Sequence, residues 1–482
     1  MNAQPAGPGS ASGPAPAQDQ AVEARPAAGQ LPRPAGPGRG ATVLEQIFSG
    51  TVWVPIGSIL LALLAGGVLI AAADPQVQAT LGYFFARPSD FFGVAWQTVS
   101  EAYSALFRGA IFDWQADTFV RMIRPLTESL VSATPLILTG LGIALGFRSG
   151  LFNIGGQGQV ILGAMFAGFF GYAIGLPPIV HFLFALLMGA VGGAIWAGIA
   201  GVLKARTGAN EVIVTIMLNS IAGYLLLYLL KQSWFTQTGS TNPASRTIYE
   251  TAQLPLLLPP PFRLHAGFLV AILATIVVWW LLERSTVGFE LRAVGENARA
   301  ARTAGVSVSR ATILAMVIAG TLSGLGGATT VLGTEHKLSG GIAGSIGFDA
   351  ITVALLGRSR PLGVFFAGLL FGAFKAGGYL MQSQTGTPID IVLVVQSIIV
   401  LLIAAPPLVR TIFWPLIKAR RLVPGQDRGG AEGDTGVGTR AGASGAEGTA
   451  AGRGPVSTGA SGTDSEGTGQ ADEDSTGTKG ER

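Results

Sequence analysis

The sequence predicts an all-α fold, a polytopic membrane helix bundle of about ten transmembrane helices, and three observations carry that prediction. First, 49% of the 482 residues are hydrophobic and only 12% are charged, against about 25% charged in an ordinary soluble domain. Second, apolar segments long enough, or nearly so, to cross ~30 Å of hydrocarbon follow one another through the middle of the chain. Third, small residues recur at every fourth position in several of these segments, giving each helix a stripe along which a second backbone can approach.

In chain order the apolar segments run approximately Val52–Ala73, Leu126–Phe147, Leu151–Leu176, Ile179–Leu203, Val212–Leu230, Leu264–Leu282, Ala311–Gly333, Ile342–Leu356, Leu362–Met381 and Ile389–Val409. The stripes are Gly163, Ala167, Gly171, Gly175; Gly189, Gly193, Ala197, Gly201; Gly320, Gly324, Ala328; and Gly368, Gly372, Ala376. They predict close helix packing and by themselves mark no binding site. Residues 1–45, rich in Pro, Ala and Gly, and residues 424–482, rich in Gly, Ser, Thr and acids, bury too little apolar surface to offset the entropy of ordering. Both are expected to be disordered tails flanking a transmembrane domain at 46–423.

Orientation follows from the basic loops. Arg148, Lys204 and Arg206, the stretch from Arg284 to Arg310, Arg358 and Arg360, and the run from Arg410 to Arg421 all fall on one side. By the positive-inside rule that side is cytoplasmic, and both termini lie there with it. The opposite side carries residues 74–124 and 231–263. The first of these loops holds Trp96, Tyr103, Phe107 and Trp114, the composition of an amphipathic helix at the membrane interface.

Composition also excludes whole classes of function. A net charge of +4 spread over short loops is no footprint for nucleic acid. With no cysteine, disulfides, thiolate metal sites and thiol catalysis are excluded together. Three scattered histidines, His181, His265 and His336, are read as ordinary loop or interface residues, and no cofactor is expected. The chain lacks a phosphate-cradling Gly-x-x-x-x-Gly-Lys-Ser/Thr loop, a nucleophile elbow and a His-Glu-x-x-His zinc helix. It is therefore not expected to be an enzyme.

The stretch from Ser149 to Gln159 is where polar groups intrude on the apolar pattern. Each unpaired polar group in a bilayer costs several kcal/mol, so amides there need partners. Asn153, Gln157 and Gln159 can donate and accept without charge, which suits a neutral, hydroxyl-rich solute; the same amides can instead bond neighbouring helices. Phe152 and Phe348 are either stacking surfaces for a ring or plain packing. A faint internal echo lays Gly208–Leu218 over Ile346–Leu356, pairing Glu211 with Asp349 in the sense an inverted repeat requires. Each carboxylate starts a span, where it is either functional or a cap on its own helix.

A second polar element, Gly288 to Val306, joins the sixth and seventh segments. Asn297 is placed to cap a helix through Ala298–Ala304, and Gly305 to end it. Two turns are too few for a stable isolated helix. The fragment, with Arg299 and Arg302, is either held by a partner protein or anchored at the inner leaflet.

Taken together, these stretches resemble the membrane permease subunits of ABC importers, in the family of ribose, branched-chain amino acid and nucleoside permeases, and most nearly the nucleoside-type group. The family pattern Gly-Leu-Phe-Asn-Ile-Gly-Ala-Glu-Gly-Gln is matched by Gly150–Gly155 and by Gly158-Gln159, whereas Gly156-Gln157 replaces Ala-Glu and removes a charge. Further resemblance lies in Gly208–Asn219, in the loop from Arg292 to Val306, and in Gly347–Gly357 with Pro361-Leu362-Gly363. The resemblance implies a substrate site at Phe152, Asn153, Gln157, Gln159, Glu211, Phe348 and Asp349. It implies an ATPase-coupling helix at Gly295, Asn297, Arg299, Arg302 and Gly305. It also implies a separate ABC ATPase subunit, a second permease subunit, an extracellular substrate-binding lipoprotein and a bacterial plasma membrane. Translocation of a nucleoside or related sugar-containing solute is the function expected. The rivals are an ion-coupled secondary transporter using Glu211 and Asp349, and a membrane enzyme acting on lipid. Lys375, deep in the ninth segment, has no place in the pattern.

Overall fold

The computed structural model describes residues 53–236 and 243–404. Its helices are α1 (Trp53–Ala73), α2 (Pro75–Leu81), α3 (Pro88–Ala110), α4 (Phe119–Arg148), α5 (Gly156–Ala173), α6 (Pro178–Thr207), α7 (Glu211–Leu229), α8 (Gly267–Arg284), α9 (Thr286–Glu296), α10 (Ala298–Thr303), α11 (Val308–Thr330), α12 (Ile346–Leu356), α13 (Pro361–Thr385) and α14 (Asp390–Ala404). Among the described residues there is no strand, only three isolated β-bridges. The all-α prediction holds. The two tails expected to be disordered, and the termini expected to be cytoplasmic, lie outside the described residues.

Local chemistry sets the helix ends. Asp74 Oδ1 accepts from the backbone of Gln76 and Val77 at 2.8 and 3.0 Å to start α2, and Asn210 Oδ1 accepts from Val212 N at 2.9 Å to start α7. Proline occupies the first turn of α2, α3, α6 and α13, where its missing N–H has no partner to lose.

Six helices among the described residues are long and apolar enough to cross a bilayer: α4, α6, α7, α8, α11 with its π-helical extension to Glu335, and α13. A seventh forms if α1 and α2, bent by 74° at Asp74, are taken as one span. Of the ten predicted spans, the eighth comes out as a shorter apolar helix, α12, and the tenth is described only as far as Ala404, as α14. The segment predicted from Ile342 is only 11 residues of helix because the chain from His336 to Ser345 runs in turns. Helix α5, at 18 residues, falls outside the apolar set because Gln157 and Gln159 stand in its first turn. The amphipathic helix expected in the first long loop is α3, which docks on the bundle through Ala102, Ala105, Gly109 and Ala110. Its Tyr103 hydroxyl donates to the Leu63 carbonyl of α1.

Helix α4 is the axis of the bundle, with 83% of its apolar window buried against 22% for α7 at the edge. Around α4 lie α8, α11, α12 and α13. The small-residue stripes meet as predicted: a side chain at Gly193 would run into the Gly320 carbonyl, one at Gly324 into Gly189, and one at Gly163 into Gly324. Helices α5, α6 and α11 therefore touch backbone to backbone. Two apolar clusters result. The larger joins α4–α8, α11, α12 and part of α13, while a smaller one gathers Ala62, Ile70, Ala102, Phe374, Val392 and Val395 from α1, α3, α13 and α14.

Opposite the basic loops, the chain around Ala244–Ser245 pairs with Leu338–Ser339. All three histidines lie on this side. His181, fully buried, meets Thr251 Oγ1 at 2.7 Å, and His265, 1% exposed, accepts from Gly267 N at 3.2 Å. Both rings are enclosed and held by neighbouring groups of the fold.

Gly193→Ala should lower the melting temperature of the purified protein sharply, because overpacking costs about 1–3 kcal/mol; Gly223→Ala on α7, which meets nothing within 4 Å, should leave it unchanged. Burial first, then the charges of His336 and Arg263, push the His265 imidazole down from 6.5 to about 4. The folded chain thus keeps this ring neutral where the unfolded chain binds a proton. Stability is complete above pH 6.5 and falls as pH drops toward 4, and His265→Gln should flatten that slope in thermal melts at stepped pH.

Candidate functional site

Helix α4 ends at Arg148 and the chain turns through Gly150, whose φ of +70° is a left-handed conformation glycine adopts without penalty. The turn closes with Leu151 N donating to Gly146 O at 2.9 Å. Leu151 to Ile154 then run without helix before α5 begins at Gly156. This break lies between two apolar helices, so its backbone groups need partners that a helix would otherwise supply.

Amide side chains supply them. Asn153 Oδ1 accepts from Gly155 N at 2.9 Å. Asn153 and Gln159 exchange hydrogen bonds, Nδ2 to Oε1 at 3.2 Å and Nε2 to Oδ1 at 3.0 Å. Both are enclosed, at 0% and 1% exposure. From α7, Asn219 Oδ1 accepts from Gly158 N at 2.8 Å while its Nδ2 donates to Ile154 O at 2.9 Å. Of the amides expected to meet a solute, Asn153 and Gln159 are therefore committed to holding the break open. Asn219 was not among the candidates, although a lone amide in the apolar run of α7 is the signal that points to it.

Gln157 works outward. Its Nε2 donates to Gly344 O at 2.6 Å and its Oε1 accepts from Gly347 N at 2.8 Å, clamping the start of α12 against the start of α5. The backbones approach so closely that a side chain at Gly347 would collide with Gln157 N. The clamp brings Phe348 and Asp349 beside the Phe152–Gln159 segment, which the sequence placed far apart. Phe152 and Phe348 are exposed, at 44% and 51%, and Phe152 stacks on Phe147 with centroids 5.0 Å apart. Asp349 Oδ2 accepts from Ser345 Oγ at 2.6 Å.

Glu211 lies against the break, its carboxylate beside the Phe152 backbone. It opens α7 and pairs with Lys204 Nζ at 2.5 Å across the α6–α7 turn, so its carboxylate already has a counter-charge. Glu211 and Asp349 each lie in the first turn of their helices, the position that favours a negative side chain on dipole grounds alone.

The helix expected from Ala298 forms as α10. Asn297 Oδ1 accepts from Arg299 N and Ala300 N, both at 3.0 Å, and Gly305 ends the turn at φ +87°. Asn297, Arg299, Arg302 and Gly305 are exposed, and among the described residues neither arginine forms an ion pair. Helix α9 before it was not predicted; its signal is Ser285, whose Oγ accepts from Gly288 N at 2.9 Å. Gly295 behaves differently from its neighbours. It packs backbone to backbone on Gly150, and a side chain there would strike the Arg148 carbonyl. Arg148 Nε in turn donates to Ser359 O at 3.1 Å. The turn that opens the break thus rests on the segment that leads into α10.

Residues 126–404, more than half of the chain, match the family described as branched-chain amino acid transport system / permease component. The chain belongs to that family. Its members are non-enzymatic, multi-pass permease subunits of the plasma membrane that work with ATPase and substrate-binding partners. This permease is 36% identical to the guanosine ABC transporter permease protein NupP of Bacillus subtilis over 76% of its own length and 96% of the relative's. It is 32% identical to the glucose ABC transporter permease protein TsgB13 of Haloferax volcanii over 75% and 88%. To the nucleoside ABC transporter permease protein NupB of Lactococcus lactis it is 34% identical over 61% and 83%. No solved structure matches it.

Gly295→Ala should separate ATP hydrolysis from solute movement, since the added methyl wedges the permease between α9 and the Gly150 turn. Transport per ATP hydrolysed, measured in proteoliposomes, should fall about tenfold, on the order of 1.4 kcal/mol of lost coupling, with the complex still assembled on size-exclusion chromatography.

Proposed function

We propose that the permease carries nucleosides, or related sugar-containing solutes, inward as the membrane subunit of an ABC importer. The observation that carries this reading is the chain of contacts from α10 through Gly295 and Gly150 to the amide-held break, and from Gln157 to α12. A separate ATPase docks on α10, with Asn297 holding the helix and Arg299 and Arg302 meeting acidic groups of that partner. An extracellular binding lipoprotein delivers solute to the opposite side. A second permease subunit, identical or homologous, completes the pathway.

In this reading Phe152 and Phe348 present ring faces to the solute, and Gln157 and Asp349 meet its polar edges. Asn153 and Gln159 position the segment. Glu211, neutralised by Lys204, fixes the α6–α7 turn beside it. Movement of α10 by the ATPase shifts the Gly295–Gly150 contact, which turns the break relative to α12. The names of the relatives in Bacillus and Lactococcus favour a nucleoside, and the glucose permease relative favours recognition through a sugar ring; a nucleoside offers both.

The test is uptake of radiolabelled nucleoside into proteoliposomes containing the permease with its ATPase and binding protein. ATP-driven uptake that survives collapse of proton and sodium gradients is expected. Uptake without ATP that vanishes with the gradient would overturn the reading and revive Glu211 and Asp349 as coupling carboxylates. Gln157→Ala should cut ATP-driven uptake about tenfold, the effect of losing two hydrogen bonds at about 0.5–1.5 kcal/mol each, with subunit association unchanged. Arg299→Glu should weaken ATPase association, read by co-purification.

A further inference from the structure

Beyond the Gln157 clamp lies a cavity of about 200 Å³ between α12, α13 and α14. Asp349 enters it from α12, Lys375 from α13 and Gln396 from α14. Phe371, Leu136 and Val392 supply apolar walls, and Tyr379 stands at the margin. Gly344 and Ser345, on its rim, tie it to the clamp: Gly344 O takes the bond from Gln157 and Ser345 Oγ the one to Asp349.

The polar groups of this cavity are not satisfied by one another. Ser345 donates to Oδ2 of Asp349, and among the described residues Oδ1 accepts no hydrogen bond. Asp349 and Lys375 feel each other's charge, yet they form no ion pair within 4.0 Å. Gln396 is only 6% exposed and its amide has no hydrogen-bond partner among the described residues. A charge within a span is expensive. Asp349, bonded on one oxygen by Ser345, and Lys375 and Gln396, open to the same cavity, are brought together by three helices and describe a receptor for something that bonds all of them.

Resting on the nucleoside reading above, we propose that this cavity reads the base and takes an oxopurine. The complementarity is one of edges. A carboxylate oxygen accepts from the ring N–H of such a base, and in guanine from the adjacent amino group as well, while an ammonium donates to its carbonyl oxygen and ring nitrogen, the pairing basic side chains make with guanine. Gln396 can donate and accept, which suits the edge between them. Phe371 and Leu136 flank a flat ring. A 6-aminopurine or a cytosine turns a bare ring nitrogen toward Asp349, an acceptor facing an acceptor. A metal ion is a poor occupant, since the cavity pairs a single carboxylate with an ammonium.

The experiment is equilibrium binding of radiolabelled guanosine to the permease–ATPase complex in lipid nanodiscs without the binding protein, competed with inosine, adenosine and cytidine. Guanosine and inosine should compete, and adenosine and cytidine should not. Lys375→Met and Gln396→Leu should each weaken guanosine binding about tenfold or more, the loss expected for a bond to a charged or buried group, and Lys375→Arg should restore most of it. Intact complexes on size-exclusion chromatography guard against misfolding. Competition blind to the base, or variants that bind as the wild type does, would overturn the base-reading role even where nucleoside uptake is intact. Sugar uptake with no nucleoside uptake by the wild type would instead remove the reading beneath it, and this cavity's role as well.

Discussion

Inside a bilayer a peptide group has no water to turn to, and the break from Leu151 to Gly155 is permitted only because side-chain amides take the place of helical partners. Asn153 and Asn219 satisfy the backbone of Gly155, Gly158 and Ile154, and Gln159 holds the Asn153 side chain in place. Once the break is held, α5 starts where Gln157 can reach α12. The position of Phe348 and Asp349 follows from that reach. A bundle of uninterrupted helices with the same apolar content would have no such polar face.

The glycines serve the same end by a different route. Because α5, α6 and α11 touch through their backbones at Gly163, Gly193 and Gly324, the helices around the break are held by contacts that tolerate no slack. Flexible side chains would have let the amides drift out of register. Gly150 and Gly295 extend this to the basic side of the protein, where the same intimacy joins the break to α9.

Much of this was legible in the sequence, and the rest was hidden for physical reasons. The apolar segments, the four-residue stripes and the Asn297–Gly305 helix each depend on neighbours a few residues apart, and the structure returned them nearly as read. The role of Asn153 and Gln159 was not legible, because an amide that bonds a solute and one that bonds its neighbour look the same in sequence. The structure separates Gln157, which faces α12, from Gln159, which faces inward, although they are two residues apart. Lys375 had no meaning until α12 and α14 were placed around it. The eighth segment shortened to α12 because length counted along an apolar run cannot see where turns interrupt it.

The cavity that holds Asp349, Lys375 and Gln396 sits where the two apolar clusters adjoin: Leu136 and Phe371 belong to the larger, Val392 to the smaller. Helix α13 gives residues to both clusters, and Leu356 of α12 packs against each. The chamber is thus walled by two oily interiors at once, and a change of volume in its walls is felt in both.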